Sequence, residues 1–355
     1  MADEDEGRPG GEGRKKDYRW AGVDIDAADR AVSLIKDAVS STLRPEVLTD
    51  LGGFSSLFKL DLSRYDEPVL ACGTDGVGTK LKLAQVLDVH DTVGIDLVAM
   101  CADDVVCCGA EPLFFQDYIA CGQVVPERIA QIVGGVAEGC RKAGCALTGG
   151  EIAEHPGVMD PDDYDISGFC VGVVERSRII DGSRIVPEDR IVGIGSSGLH
   201  SNGFSLVRKL FFESGEFNLD DSYKGFAKPL GLELLTPSAI YAKGVLEVAA
   251  RCDLKAVAHV TGGGITENLP RVIPEDMDAV IYTGSWPVGN LFTFIRNAAG
   301  LDLHDMMRTF NMGLGMLLVV PPSEVREVIR MLDAGMYRAW EVGEVVKGQN
   351  TVVYQ

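Results

Sequence analysis

The sequence predicts an α/β (α+β) protein of two domains, and three observations carry that reading. Apolar runs with the length of buried strands alternate with helical patterns. Glycine-rich turns sit where these segments meet and deliver polar side chains. A chain of 355 residues is also long for one core and comfortable for two. The expected division is a disordered tail over 1–17, a first domain over 18–174 and a second over 175–355.

Composition narrows the class. A formal net charge of −20 argues against nucleic acid as a partner, because phosphate backbones select a basic face. The same acidity is compatible with a small phosphorylated substrate, since acidic clusters hold Mg²⁺ and the metal presents positive charge. No window approaches 18 consecutive apolar residues and no charged-then-apolar leader opens the chain. Neither a membrane span nor export is therefore expected, and the predicted compartment is the cytoplasm. Nine cysteines without any CxxC make a zinc site or a disulfide framework an unfavoured reading.

Taken in order, the tail is charged and glycine-rich and lacks apolar periodicity. Asp24, Asp26 and Asp29 then precede a helical pattern through Ala31–Ile35. They read either as helix caps or as nucleotide or metal ligands. Gly52-Gly53-Phe54 is a turn entering a strand at Leu57-Phe58. The run Pro68–Cys72 is the next strand, and Gly73-Thr74-Asp75-Gly76-Val77-Gly78-Thr79-Lys80 follows as a turn into a helix beginning near Thr79. Its glycines permit a concavity of backbone amides suited to phosphate, with Asp75 placed to hold a cation. It is no P-loop, because Gly78-Thr79-Lys80 reverses the required Gly-Lys-Ser/Thr order.

Residues 92–109 read as a helix whose stripe Leu97, Cys101, Asp104, Cys108 sets Asp104 on an apolar face. A carboxylate there costs roughly several kcal/mol unless paired or metal-bound, which marks Asp104 as functional. Asp96 and Asp103 fall on a parallel, more polar stripe; Asp96 is a candidate and Asp103 is left open. A strand at Leu113–Ile119, a helix at Glu127–Ala143 and a short strand at Cys145–Thr148 follow, the last delivering Gly149-Gly150-Glu151. Ser167–Val174 closes the first domain.

The second half opens with a strand, the loop Ser196–Asn202 and a helix over Phe204–Glu213. Gly193, Gly195 and Gly198 match a dinucleotide fingerprint in letters, but no second strand follows the helix, so that site is rejected. The loop remains a phosphate cup, and His200 within it is an acid/base candidate or a cap. His259-Val-Thr-Gly-Gly-Gly-Ile-Thr-Glu-Asn268 repeats the strand–glycine–helix unit. Leu314–Val320 is a further apolar run, and Trp340–Val346 reads as an edge strand.

In combination, Ala21–Asp26, Gly73–Ala84, Asp91–Phe115, Gly149–Glu151, Asp165–Glu175, Gly195–Arg208, His259–Pro270 and Arg308–Gly315 resemble the phosphoribosylformylglycinamidine cyclo-ligase (AIR synthetase) family. The match runs in order along nearly the whole chain from Tyr18. The resemblance implies the two-domain AIR-synthetase-like fold, with a dimer-forming N-terminal mixed sheet. That fold is shared with thiamin-monophosphate kinase, selenophosphate synthetase and formylglycinamidine ribonucleotide synthetase. It implies ATP and Mg²⁺, formylglycinamidine ribonucleotide as substrate, a homodimer, and ring closure through a phosphorylated formamide oxygen. By that analogy Asp75, Asp104 and Glu151 are the metal carboxylates. Asp24, Asp26, Gly73, Thr74, Asp75, Gly76, Gly78, Thr79, Lys80 and Asp96 surround ATP, with Lys80 on a phosphate. Ser196, Ser197, Gly198, Ser201, Asn202, Gly262, Gly263, Gly264, Glu267 and Asn268 surround the substrate, and His200 moves the proton. The chain departs from the family pattern at Ile152, where a Thr is usual, at His155, where the pattern has Met, and at Asp103, where Asn is usual.

Overall fold

The computed structural model describes residues 18, 20–49, 51–335 and 337–355; the expected tail lies outside them. The N-terminal domain holds helix α1 (Ile25–Ser40), strand β1 (Pro68–Gly76), helices α2 (Lys80–Leu87) and α3 (Val93–Val106), β2 (Glu111–Cys121), α4 (Pro126–Ala143), β3 (Ala146–Glu154) and β4 (Tyr164–Glu175). Its sheet runs β1-β4-β2-β3, with β2 and β3 parallel and the other pairs antiparallel. Two strands are longer than the sequence suggests. β1 continues through Gly73–Gly76, and β3 continues through Gly149–Glu151. Glycines read as turns there are paired strand residues, so the phosphate-loop geometry shrinks to the Val77–Thr79 turn.

Helix α3 is the hub. Every residue from Val93 to Val106 is buried except Asp104, as expected of a helix surrounded by protein. The sheet covers one side and α4 another. Gly94 makes the second contact possible, since a Cβ there would strike the Ile132 carbonyl and the Val136 amide of α4. On the sheet's other face Leu70, Tyr118 and Phe169 are exposed, while Phe58 and Ser56 pack against Phe114 and Gln116.

The C-terminal domain contains β5 (Arg190–Gly195), α5 (Phe204–Arg208), which runs on as a π-turn over Lys209–Glu213, α6 (Leu230–Leu234), α7 (Ala242–Arg251), β6 (Ala256–His259) and α8 (Gly264–Asn268). It continues with β7 (Met277–Ile281), α9 (Asn290–Ala299), α10 (Leu303–Thr309), β8 (Leu314–Val320), α11 (Val325–Ala334), β9 (Ala339–Lys347) and β10 (Val352–Tyr354). The sheet order is β10-β7-β9-β5-β8-β6, and β5 is antiparallel to both neighbours. That pairing agrees with rejecting a dinucleotide βαβ unit, which needs parallel strands. It also corrects the reading of Trp340–Val346: β9 lies inside the sheet, between β7 and β5. Leu57-Phe58 contributes only an isolated bridge, Val47 to Phe58.

Candidate functional site

The carboxylates of α3 are distributed differently from the apolar-stripe reading. Asp96 and Asp103 are fully buried, while Asp104 is the exposed one. The reason is that the C-terminal domain docks on the stripe that looked polar. Asp96 Oδ1 accepts the Ser238 amide (2.8 Å), the Ser238 hydroxyl (2.6 Å) and Lys80 Nζ (2.9 Å). Asp103 Oδ1 accepts the Tyr241 amide at 2.8 Å, and its Oδ2 has no partner. Burial pushes the Asp103 carboxyl up to about 7, against the lowering effect of His259 and the backbone donors.

Lys80, expected on a phosphate, is instead a buried tie between the domains. Its Nζ donates to Asp96, to the His200 carbonyl (3.0 Å) and to the Thr236 carbonyl (2.8 Å). An ammonium has three N–H donors, so none is left for ATP. Burial pulls Lys80 downward and Asp96 upward, and their mutual contact opposes both shifts.

His200, expected to move a proton, is buried among backbone donors. It is buried at φ 59°, and its Nε2 accepts the amides of Ser197 (3.3 Å) and Ala239 (3.4 Å). Burial, with His259 and Lys80 nearby, lowers its pKa to about 3, so the ring is neutral at working pH. The loop around it is split by function. Ser196, Ser197 and Gly198 line a cleft of about 630 Å³ with Arg338 and Trp340, pinned from below by buried Asn311. Asn202 faces away and donates to the Val260 carbonyl. Ser201 Oγ is buried without a partner.

The triple-glycine turn lies where β6 ends. Gly263 and Gly264 have φ of 92° and 61°, conformations that suit glycine. Asn268 shapes this turn: its Nδ2 donates to the Gly262 and Gly264 carbonyls and its Oδ1 accepts from Thr261. Glu267 is ion-paired with Arg308 at 2.9 Å. Just before the turn stands His259, overlooked in the sequence because its role depends on a contact 155 residues away. Its Nδ1 lies 2.8 Å from Asp104 Oδ1. Although burial opposes it, the bond to Asp104 and the charges of Asp103, Asp104 and Asp75 raise its pKa.

Asp75 joins this group from the end of β1. Its carboxyl is pushed up by burial and by the charge of Asp104. Thr74 is committed to the Gly168 carbonyl, and Thr79 Oγ1 is 3.5 Å from Ser205 Oγ. Asp75 and Asp104 are near enough to act on one another electrostatically and offer hard oxygen donors, a chemistry that suits a divalent cation.

Glu151 does not complete that set within one chain. Asp75, Gly168, Asp117 and Gly150 lie in one row across the sheet. Gly150 is thus three interstrand spacings from Asp75, about 14 Å, and the pleat turns Glu151 to the opposite face. Asp117 is the second overlooked residue. Its carboxyl is desolvated and pushed up to about 7, and it occupies the space a Cβ on Gly150 would fill. With Glu151, Asp29 and the Gly52–Ser56 loop it lines a cavity of about 370 Å³ beside α1. Asp24 is not among the lining residues; its side chain caps α1 by accepting the Ala27 amide, and Asp26 lies in that helix's first turn. Asp29 is the member of the acidic trio that reaches the cavity. Among the described residues the only three donors that converge on one point are Asp302, His304 and Asp305, all exposed.

The sequence matches the family descriptions "AIR synthase related protein, N-terminal domain" over residues 60–174 and "AIR synthase related protein, C-terminal domain" over residues 186–355. A Brevibacillus brevis phosphoribosylformylglycinamidine cyclo-ligase is 52% identical over 337 residues, covering 95% of this chain and 97% of that one. The Geobacillus kaustophilus enzyme of the same name is 53% identical, covering 94% and 96%. In structure the chain is similar to thiamine-monophosphate kinase from Stenotrophomonas maltophilia, with TM-score 0.67, 17% identity, and coverage of 91% and 96%. A hydrogenase maturation protein HypE in complex with ATP gives TM-score 0.64 at 18% identity, covering 91% and 90%. These two likenesses concern the fold.

Proposed function

The chain belongs to the phosphoribosylformylglycinamidine cyclo-ligase (AIR synthase) family, and on that premise we propose how its residues divide the work. The reaction is the ATP-dependent closure of formylglycinamidine ribonucleotide to 5-aminoimidazole ribonucleotide, releasing ADP and phosphate. A formamide oxygen is a poor leaving group. Transfer of the γ-phosphoryl group to that oxygen makes it a good one. The neighbouring amidine nitrogen then attacks the formyl carbon, and phosphate and a proton depart. What a protein supplies to such steps is charge neutralisation and alignment.

The observation that carries the assignment is the His259–Asp104 contact just before Gly262–Gly264, with Asp75 close enough to feel the charge of both. Asp75 and Asp104 would hold Mg²⁺, which when bound offsets phosphate charge during transfer. The backbone of Gly262–Gly264 and the Ser196–Gly198 cleft, with Arg338, receive the ribonucleotide. Asp117, Asp29 and Glu151 border the cavity assigned to the far part of the nucleotide. Lys80, His200 and Asn268 contribute by fixing the seam and the turn. The domains divide at residues 174–175, at the end of β4.

The exposed part of the N-terminal sheet's outer face supports a homodimer: Leu70, Phe169 and Tyr118 are exposed on paired strands. No helix among the described residues is long and apolar enough to cross a membrane. We assign the protein to the cytoplasm, where its nine thiols stay reduced.

The test is to incubate the protein with ATP, Mg²⁺ and formylglycinamidine ribonucleotide and follow both products. Equal formation of ADP and aminoimidazole ribonucleotide, abolished in Asp75→Ala with the fold intact, is expected. ADP without the imidazole product would refute the assignment.

A further inference from the structure

We propose that His259 is a positioning residue that presents the Asp104 carboxylate to the divalent cation from across the domain seam. The inference rests on the reading of Asp104 as a metal ligand. Asp104 lies in the last turn of α3, where the helix dipole disfavours an anion. It is also the one residue of that helix open to solvent. Left alone, such a side chain samples several rotamers, and ordering it for a metal costs entropy. Among the described residues, His259 is the only group whose hydrogen bond to the Asp104 side chain is seen, Nδ1 to Oδ1 at 2.8 Å.

His259 is well built for that task. It is the last residue of β6, paired with Met316 of β8, and it is only 7% exposed. Its ring is therefore held on a rigid strand end. Donation to Oδ1 fixes the carboxylate plane and leaves Oδ2 as the oxygen for the cation. Outer partners of this kind usually change metal affinity by about 10–100-fold. The arrangement also spans the two domains, since Asp104 comes from the first and His259 from the second. The ligand is thus fully oriented only when the domains are docked.

The test is Mn²⁺ binding, measured by electron paramagnetic resonance on the intact protein with ADP present. His259→Ala is expected to weaken Mn²⁺ about 10–100-fold. His259→Asn, which keeps a donor near the Nδ1 position, should stay close to wild type. His259→Leu fills the space without a donor and replaces the alanine variant if the latter does not fold. Wild-type Mn²⁺ affinity in both donor-less variants, with binding lost in Asp104→Ala, would overturn the positioning role alone. Unchanged binding in Asp104→Ala would overturn Asp104 as a ligand, and the role of His259 with it.

Discussion

Replacing Lys80 with Met tests whether this lysine ties the domains or holds a phosphate. The substitution keeps the length and apolar body of the side chain and removes its three bonds to Asp96, His200 and Thr236. Asp96 is left buried with only Ser238 as donor. Breaking a buried pair from one side costs about 3–5 kcal/mol, and two orphaned carbonyls add about 1 kcal/mol each. A loss of about 5–7 kcal/mol is therefore expected in urea unfolding followed by circular dichroism. Adding Asp96→Asn removes the stranded charge while keeping an acceptor for Ser238, and should recover a substantial part of that loss. ADP affinity, measured by calorimetry well below the unfolding midpoint, should change less than about threefold. Wild-type stability combined with a hundredfold loss of ADP affinity would refute the reasoning and return Lys80 to the phosphates.

Asp103→Asn should flatten the pH dependence of stability. A carboxyl raised from 3.8 to about 7 in the folded state gives stability that is present below pH 3.8 and lost as pH rises through 7. At about 1.4 kcal/mol per unit the effect is at most about 4 kcal/mol, read from urea midpoints at several pH values. His200→Asn keeps a residue that tolerates positive φ but strands two amides; it should cost about 1–3 kcal/mol and leave the pH profile of kcat unchanged. A lost limb in that profile would restore His200 as a proton carrier. Gly94→Ala forces α3 from the α4 backbone, and a loss of about 3 kcal/mol in thermal or urea unfolding is expected. Phe169→Lys should shift a dimer to monomer in light scattering, with the circular dichroism spectrum retained.

Local signals in the sequence were enough to place most strands and helices, because apolar runs and helical periodicity are properties of adjacent residues. The helix read over Glu127–Ala143 is α4, which starts one residue earlier, and the apolar run Leu314–Val320 forms β8. Strand ends were harder. Gly73–Gly76 and Gly149–Glu151 carry the composition of turns, and only pairing with β4 and β2 makes them strands. The burial of Asp96 and Asp103 was inverted for a similar reason: a polar stripe meets solvent unless another domain supplies donors, and Ser238 and Tyr241 do so from 142 and 138 residues away. Of the histidines, His200 drew attention by its glycine loop, whereas His259 required knowing which helix end it faces. Asp117 sits in an apolar strand run and became visible only when its row partner proved to be Gly150.

The buried carboxylates of α3 have a consequence for how the chain is made. At about 5–20 residues per second, residues 175–355 take roughly 10–40 s to emerge after the N-terminal sheet is complete. For the first third of that interval Ser238 and Tyr241, which cover Asp96 and Asp103 in the folded chain, have not yet been made. Both carboxylates must shed their water when the second domain docks on them. Closing the seam is a dehydration step that the ribosome postpones until the matching donors exist.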